Sequence, residues 1–69
     1  MNAKELKRKR EAVGLTQNEL GRRSGVSRYA IVHAETNRKP LSEADVRKIR
    51  RVLVKRAAEV AAVMAEDAA

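Results

Sequence analysis

The chain contains no cysteine, so neither a disulfide nor a thiolate metal site can hold its 69 residues in a fold. A hydrophobic core has to do so, and Tyr29 is the only aromatic residue available to it. We therefore expect one small core built from Leu, Val, Ile and Ala side chains. His33 is the only histidine, which excludes a histidine cluster, and no Ser–His–Asp arrangement can be recognised. These observations predict no metal, no cofactor and no enzymatic activity.

Charge is distributed unevenly along the chain. Residues 1–56 contain all 16 Lys and Arg residues, whereas residues 57–69 contain none and carry Glu59, Glu66 and Asp67. The net charge of +7 therefore comes from a basic part of the chain. This asymmetry predicts a polyanionic partner for the basic part and a different role for the tail, although a solvated surface with surplus cations would have the same composition.

Membrane segments are not expected. No stretch of the sequence is apolar over the ~20 residues that crossing a bilayer requires. The charges within residues 4–11 also leave no room for the apolar part of a signal peptide. We therefore predict no membrane contact and a cytoplasmic location.

Helical periodicity and end signals predict an all-α protein. The first helix is expected over about residues 2–13, with Gly14 as its C-terminal cap. The second helix follows a capping box formed by Thr16 and Glu19, and the third covers about residues 27–36. A tight glycine turn separates these two helices, which is the outline of a DNA-binding helix-turn-helix.

A long C-terminal helix completes the predicted bundle of three short helices and one long one. No glycine or proline occurs in residues 43–69, so nothing ends this helix after its cap at Ser42. Its apolar stripe starts with Val46, Ile49 and Leu53, which we expect to close the core. The prediction is a helix-turn-helix DNA-binding domain over residues 1–53, followed by an Ala-rich helical extension over residues 54–69.

The third helix has an outward face without acidic residues. Its inward side carries Ile31 and Ala34. The candidate base-reading residues on the outward face are Arg28, Tyr29, Val32 and His33. In a major groove, arginine pairs with guanine, apolar and aromatic side chains meet thymine methyl groups, and histidine hydrogen-bonds to a base edge. Alternatively, Tyr29 and Val32 pack against another part of the protein or a second subunit, and His33 is an ordinary surface residue.

Polar and basic residues surround this helix. Gln17 starts the second helix, where free backbone amides and the helix dipole favour a phosphate. The candidate phosphate-binding residues are Gln17, Asn18, Arg22, Ser27, Arg38 and Lys39. Each of them alone is more often an ordinary surface residue, so the prediction depends on their placement around one helix.

Two charged residues lie where apolar residues are expected. Arg10 falls on the apolar stripe of the first helix, and Glu35 falls beside that of the third. Because a buried charge is costly unless it is paired, we predict that Arg10 and Glu35 form an ion pair between these helices. The alternative is that each side chain reaches water separately.

The motifs that the chain shares with a known family are Leu6, Arg10, Gly14–Leu15–Thr16–Gln17, Glu19–Leu20, Gly25–Val26–Ser27, Ile31 and Glu35. Together they resemble the phage-repressor, Cro-like helix-turn-helix family of bacterial and phage transcription regulators. The resemblance implies a bundle of about five helices that binds operator sites in double-stranded DNA, usually as a dimer. It also implies that Gln17 holds a phosphate, that Arg28, Tyr29 and His33 read bases, and that Arg10 and Glu35 form a buried pair.

The sequence departs from the family at two places that concern the fold. Gly21 stands where alanine is usual, which keeps the helices close at some cost in helix stability. After Leu41 the helical pattern continues to the end of the chain, whereas family members commonly break and form a fifth helix that makes the dimer contact. We expect residues 54–69 to pair with the same segment of a second copy instead, and a frayed end is the alternative.

These observations lead to one functional hypothesis with two alternatives. The leading hypothesis is a Cro-like repressor that occupies an operator through its third helix, as a homodimer in a bacterial cell or phage-infected host. The predicted dimerisation residues are Ala57, Val60, Ala61 and Met64. The first alternative is an antitoxin-like regulator whose C-terminal helix binds a partner protein. The second is a nucleic-acid-binding module without sequence preference.

Overall fold

The computed structural model describes residues 1–68 and is all-helical over that range. The helices are α1 (Ala3–Ala12), α2 (Gln17–Ser24), α3 (Arg28–Glu35) and α4 (Glu43–Ala68). The predicted fold class, three short helices and one long one, is confirmed. Across the described residues there are four helices rather than the five that the family resemblance implies, because α4 continues without a break. None of these helices combines the length and the apolar composition needed to cross a bilayer.

The helices begin where the sequence provides a side-chain cap. The Asn2 carboxamide oxygen accepts a hydrogen bond from the Glu5 backbone amide at 2.8 Å. In the predicted capping box, the Thr16 hydroxyl accepts from the Glu19 amide at 3.0 Å and the Glu19 carboxylate accepts from the Thr16 amide at 3.1 Å. The pKa of Glu19 lies below its ordinary value. The main cause is the hydrogen bond that its carboxylate accepts from the Thr16 amide, and the interaction with the Thr16 hydroxyl is the second. The Ser27 hydroxyl caps α3 by accepting a hydrogen bond from the Ala30 amide at 3.1 Å.

The end of α1 is shaped by a glycine, as the sequence predicts. Gly14 has a φ of 70°, a left-handed conformation that other residues adopt at a cost. Its amide donates to the Glu11 carbonyl at 2.9 Å, and the Leu15 amide donates to the Arg10 carbonyl at 3.1 Å. These two bonds satisfy carbonyls that the helix end would otherwise leave free. They also turn the chain back so that Leu15 enters the core, where it is 3% exposed.

Each helix contributes one fully buried aliphatic side chain to the core. These side chains are Leu6, Leu20, Ile31 and Ile49. Leu15, Val26, Ala34 and Leu53 complete the buried cluster. The prediction that Ile49 and Leu53 close the core is confirmed, but Val46 is only half-buried and Val52 packs against the cluster instead. The side of α4 that faces the body is therefore rotated from the predicted stripe.

Polar contacts hold α4 to the body beyond the core. The Arg56 guanidinium donates to the Val13 carbonyl at 3.0 Å. Glu59 lies 3.3 Å from Arg56 and 3.9 Å from Arg23 of α2. Val60 is half-buried, and residues 61–67 are exposed. At 26 residues, α4 is ~39 Å long and accounts for most of the 44 Å long axis of the molecule.

The turn between α2 and α3 is close-packed against Gly21. A Cβ atom at this position would lie 3.0 Å from the Val26 carbonyl oxygen and 3.5 Å from the Arg28 amide. Ser24 tightens the same turn, because its hydroxyl donates to the Leu20 carbonyl at 2.7 Å and accepts from the Val26 amide at 3.2 Å. The small residue at position 21 therefore determines how closely α3 approaches α2.

Gly21→Val should destabilise the protein by at least about 2 kcal/mol, because a branched side chain forces the α2–α3 turn outward. Arg22→Val is the matched control, since Arg22 is exposed on the same helix and its replacement should change stability by about 0.5 kcal/mol. Urea-induced unfolding followed by circular dichroism measures both. Equal stability of the two variants would show that the turn has room for a side chain.

Candidate nucleic-acid interface

The outward face of α3 is directed to solvent by the core contacts on its opposite side. Ile31 is fully buried and Ala34 is 9% exposed. Tyr29 points the other way and is 75% exposed, the highest value among the large hydrophobic side chains. Within residues 1–68, Tyr29 therefore does not pack into the protein. An exposed aromatic ring on a helix that is otherwise anchored is available to a partner.

The four candidate base-reading residues form one surface but differ in exposure. Arg28 and Tyr29, in the first turn of α3, are exposed. Val32 and His33, one turn further along, are half-buried. His33 borders a cavity that is also lined by Lys39, Pro40 and Leu41 of the following loop. The N-terminal turn of α3 is thus more exposed than the turn that follows it.

Arg10 and Glu35 form the predicted ion pair, and it is buried. The Arg10 Nε atom donates to Glu35 Oε2 at 2.7 Å, and Nη2 donates to Oε1 at 2.9 Å. The two side chains are 10% and 3% exposed. The hydrogen bonds to Glu35 raise the pKa of Arg10 above its ordinary value, against the opposing effect of burial. Such a two-point contact fixes the orientation of both side chains.

Two further groups complete this pair, and sequence reasoning missed both. Arg10 Nη1 donates to the Leu15 carbonyl at 2.8 Å, and the Gln17 carboxamide donates to Glu35 Oε1 at 3.2 Å. In residues 1–68, no buried side-chain nitrogen or oxygen lacks a hydrogen-bond partner. The network joins α1, the turn after it, the first residue of α2 and the last residue of α3. No signal in the sequence indicated the contact between Gln17 and Glu35, because it forms only after the chain has turned at Gly14.

Five of the candidate phosphate-binding residues fall into two groups, one on α2 and one in the loop after α3. The first group, Gln17, Asn18 and Arg22, lies on α2. Of these residues, Gln17 is half-buried and contacts Glu35. Arg38 and Lys39 are exposed in the loop after α3, where both backbone amides donate to the His33 carbonyl, at 2.9 and 3.3 Å. The exposed basic side chains of both groups have no acidic partner within 4.0 Å in the described part of the chain.

Ser27 differs from the other candidates because its side chain already has a structural role. Its hydroxyl oxygen caps α3, while the residue itself is exposed. The hydroxyl hydrogen is not used in that bond and can still be donated to a phosphate.

The candidate dimerisation residues lie in the C-terminal half of α4. Ala57, Ala61 and Met64 are exposed, whereas Val60 is half-buried. Residues 1–68 contain no group of three or more His, Cys, Asp or Glu side chains that could hold a metal ion.

Comparison with known proteins agrees with this geometry. A family model described as helix-turn-helix matches residues 6–60, which is most of the chain. The chain belongs to the phage-repressor, Cro-like helix-turn-helix family. This helix-turn-helix protein is a DNA-binding regulator, and its family is not one of enzymes. No curated protein and no solved structure gives a significant match.

Arg10→Ala should reduce the free energy of unfolding by about 3–5 kcal/mol, because it leaves Glu35 buried without its cation. That loss is comparable with the whole stability of a domain of this size, about 3–10 kcal/mol. Arg8→Ala is the control, since Arg8 is exposed on the same helix. The Arg10→Met, Glu35→Leu double variant should recover most of the loss. Thermal unfolding followed by circular dichroism measures all three, and an unchanged midpoint for Arg10→Ala would contradict the account.

Proposed function

We propose that this protein is a Cro-like repressor that occupies an operator in double-stranded DNA through α3. The observation that carries the proposal is the exposure of Arg28 and Tyr29 in the first turn of a helix whose other side is buried in the core. The family match supports duplex DNA as the ligand. Repression would follow from occupancy of the operator, which excludes polymerase.

The exposed chemistry of α3 suits a major groove. A guanidinium such as that of Arg28 can donate two parallel hydrogen bonds to guanine. Tyr29 and Val32 offer surfaces that fit thymine methyl groups, and His33 can donate to or accept from a base edge. The exposed first turn would make most of the base contacts, as is common for recognition helices of this motif.

The residues around α3 would hold the DNA backbone on both sides. At the start of α2, free backbone amides and the positive end of the helix dipole favour a phosphate. The Gln17 carboxamide uses one hydrogen for Glu35, which leaves its second for that phosphate. Arg38 and Lys39 would contact a phosphate from the opposite end of α3. Contacts of this kind set the register of the protein on the duplex.

The proposal places the protein in the cytoplasm of a bacterial cell or phage-infected host, bound to DNA as a homodimer. Two recognition helices would then sit ~34 Å apart, one helical turn of the duplex. The antitoxin-like alternative instead requires a different protein on the C-terminal helix.

Tyr29→Ala should weaken binding to a specific duplex by roughly 5- to 150-fold while hardly changing binding to random duplex, because base contacts carry the sequence information. The specific duplex is obtained by selection from random sequences, and binding is measured by fluorescence anisotropy at several salt concentrations. Lys39→Ala is the contrasting variant. It should weaken binding to both duplexes alike and reduce the salt slope by about 0.9.

Three results would count against the proposal. Equal losses on both duplexes would remove Tyr29 from base reading. A selection that returns no preferred sequence would indicate a module without sequence specificity. Purification with a stoichiometric second protein, together with no DNA binding by the free chain, would favour the antitoxin-like alternative.

A further inference from the structure

The side of α4 that faces solvent carries a row of cations. Arg47 and Arg51 each lie two positions from Ile49, about 200° around the helix, so they point away from the core that Ile49 enters. Lys55 follows Arg51 after one further turn. The basic residues on this side are all exposed, and we call them the basic face: Arg47, Lys48, Arg50, Arg51 and Lys55.

The charge of the basic face is not neutralised within the described part of the chain. None of its side chains has a carboxylate within 4.0 Å, and Glu43, one turn before Arg47, also lies beyond that distance. By contrast, Arg56 on the side toward the body pairs with Glu59 at 3.3 Å. Like charges three or four residues apart repel each other on a helix. A bound polyanion relieves this repulsion, so the basic face favours one.

The basic face points away from α3. The helices that pack against α3 are α1 and α2. The same two helices flank α4, because Glu59 contacts α2 and Arg50 borders a groove shared with α1. Arg50 and Glu59 lie about 180° apart around α4. The core therefore has α3 on one side and α4 on the other, and Ile31 and Ile49 enter it from these two sides. A straight duplex that lies against the outward face of α3 cannot also contact the basic face.

Among polyanions, the backbone of duplex DNA fits the basic face best. The row from Arg47 to Lys55 is ~12 Å long, and a duplex presents about seven phosphates over that length. Three of the five cations are arginines, whose planar guanidinium groups suit two-point contacts with phosphate. The length and the chemistry of the row therefore both suit a phosphate backbone.

Two other polyanions fit the basic face less well. Single-stranded nucleic acid is held largely by stacking on aromatic rings, and the only aromatic residue of the chain, Tyr29, lies on α3. A helix that lies on an anionic membrane needs a row of large apolar side chains beside its cations. Within residues 47–55, Val54 is the one large apolar side chain that is exposed, because Ile49 and Leu53 are buried in the core.

The body holds the basic face in place. Ile49 and Leu53 anchor its inner side in the core, and the Arg56 guanidinium donates to the Val13 carbonyl at 3.0 Å. The helix beneath the cations is therefore ordered before any ligand binds, which lowers the entropy cost of the contact.

We propose that the basic face of α4 binds the phosphate backbone of a second DNA segment while α3 occupies the operator. Because phosphates are the same in every sequence, this second site has no sequence preference. One chain then bridges two stretches of duplex, the operator at α3 and any neighbouring segment at α4. The bridging rests on the proposed function of α3, whereas the second site itself does not.

Capture of a second duplex by a chain that already holds a first one tests the bridge. The selected duplex is immobilised on beads and loaded with the full chain, and a labelled random duplex is then added. Wild-type protein should capture the labelled duplex. The Arg47→Gln, Arg51→Gln double variant should capture it at least about tenfold less well at about 0.1 M salt, because two phosphate contacts are lost. Its binding to the selected duplex should stay close to that of wild type.

The matched control is the Lys7→Gln, Arg8→Gln double variant. It removes the same charge from exposed positions of α1 that lie outside the basic face, so capture should remain close to wild type. The salt dependence of capture is a second readout, since its logarithmic slope should fall in magnitude by about 1.8 in the α4 variant and not in the control. Circular dichroism checks that both variants remain helical.

No capture by wild-type protein, or an equal loss in the two double variants, would overturn the second site. Capture of vesicles that contain phosphatidylserine, without capture of the random duplex, would also overturn it and would assign the basic face to lipid headgroups.

Failure of this proposal and failure of the proposed function give different results. If the selected duplex is bound but no second duplex is captured, the second site fails and the role of α3 stands. If selection returns no operator, random duplex alone should still shift the NMR amide signals of residues 47–55. Absence of that shift would overturn the second site as well.

Discussion

The buried pair between Arg10 and Glu35 is the interaction on which the position of α3 depends. An unpaired carboxylate that is 3% exposed would be strongly destabilising, so Glu35 is tolerated only where the guanidinium lies. Because Arg10 also holds the Leu15 carbonyl, and Glu35 also holds Gln17, any displacement of α3 would break several hydrogen bonds together. Because hydrogen bonds are directional, this network specifies one orientation of α3. Apolar packing alone would define that orientation less precisely.

That constraint matters because α3 is too short to be stable alone. A helix of eight residues gains little from its own hydrogen bonds, and its order comes from tertiary contacts. Ile31 holds its centre in the core, Ser27 caps its start, and the pair at Glu35 fixes its end. The outward residues are consequently held by the body rather than by each other. This arrangement allows Arg28 and Tyr29 to be exposed without loss of order, which a surface that reads DNA requires.

The elements that depend on local chemistry could be predicted from the sequence. Caps, the left-handed glycine after α1 and the apolar side of α3 each follow from residues within about one or two helical turns. The pairing of Arg10 with Glu35 was also predictable, because two charges on apolar faces of different helices needed a partner. Contacts between residues that come together only in the folded chain could not be predicted from the sequence. The bond from Gln17 to Glu35 arises only after the chain has turned at Gly14.

The rotation of α4 about its own axis illustrates a second limit of prediction from sequence. Periodicity identified an apolar face but not its rotation, so Val46 was predicted in the core where Val52 contributes instead. Arg56 and Glu59 would have indicated the correct side, since they follow Leu53 on the face that contacts the body. The candidate DNA-contacting residues remain predictions, as does the division of the chain after residue 53. Side-chain identity alone does not encode an operator sequence.

The central claim is that α3 is the part of the molecule that meets DNA. Amide chemical-shift changes in the full chain, recorded by NMR during titration with the selected duplex, test it most directly. The account predicts that the largest changes occur in residues 27–33, with smaller ones at residues 17–18 and 38–39. It predicts little change in residues 61–67. Large changes along the exposed basic side of α4, with α3 unaffected, would contradict it.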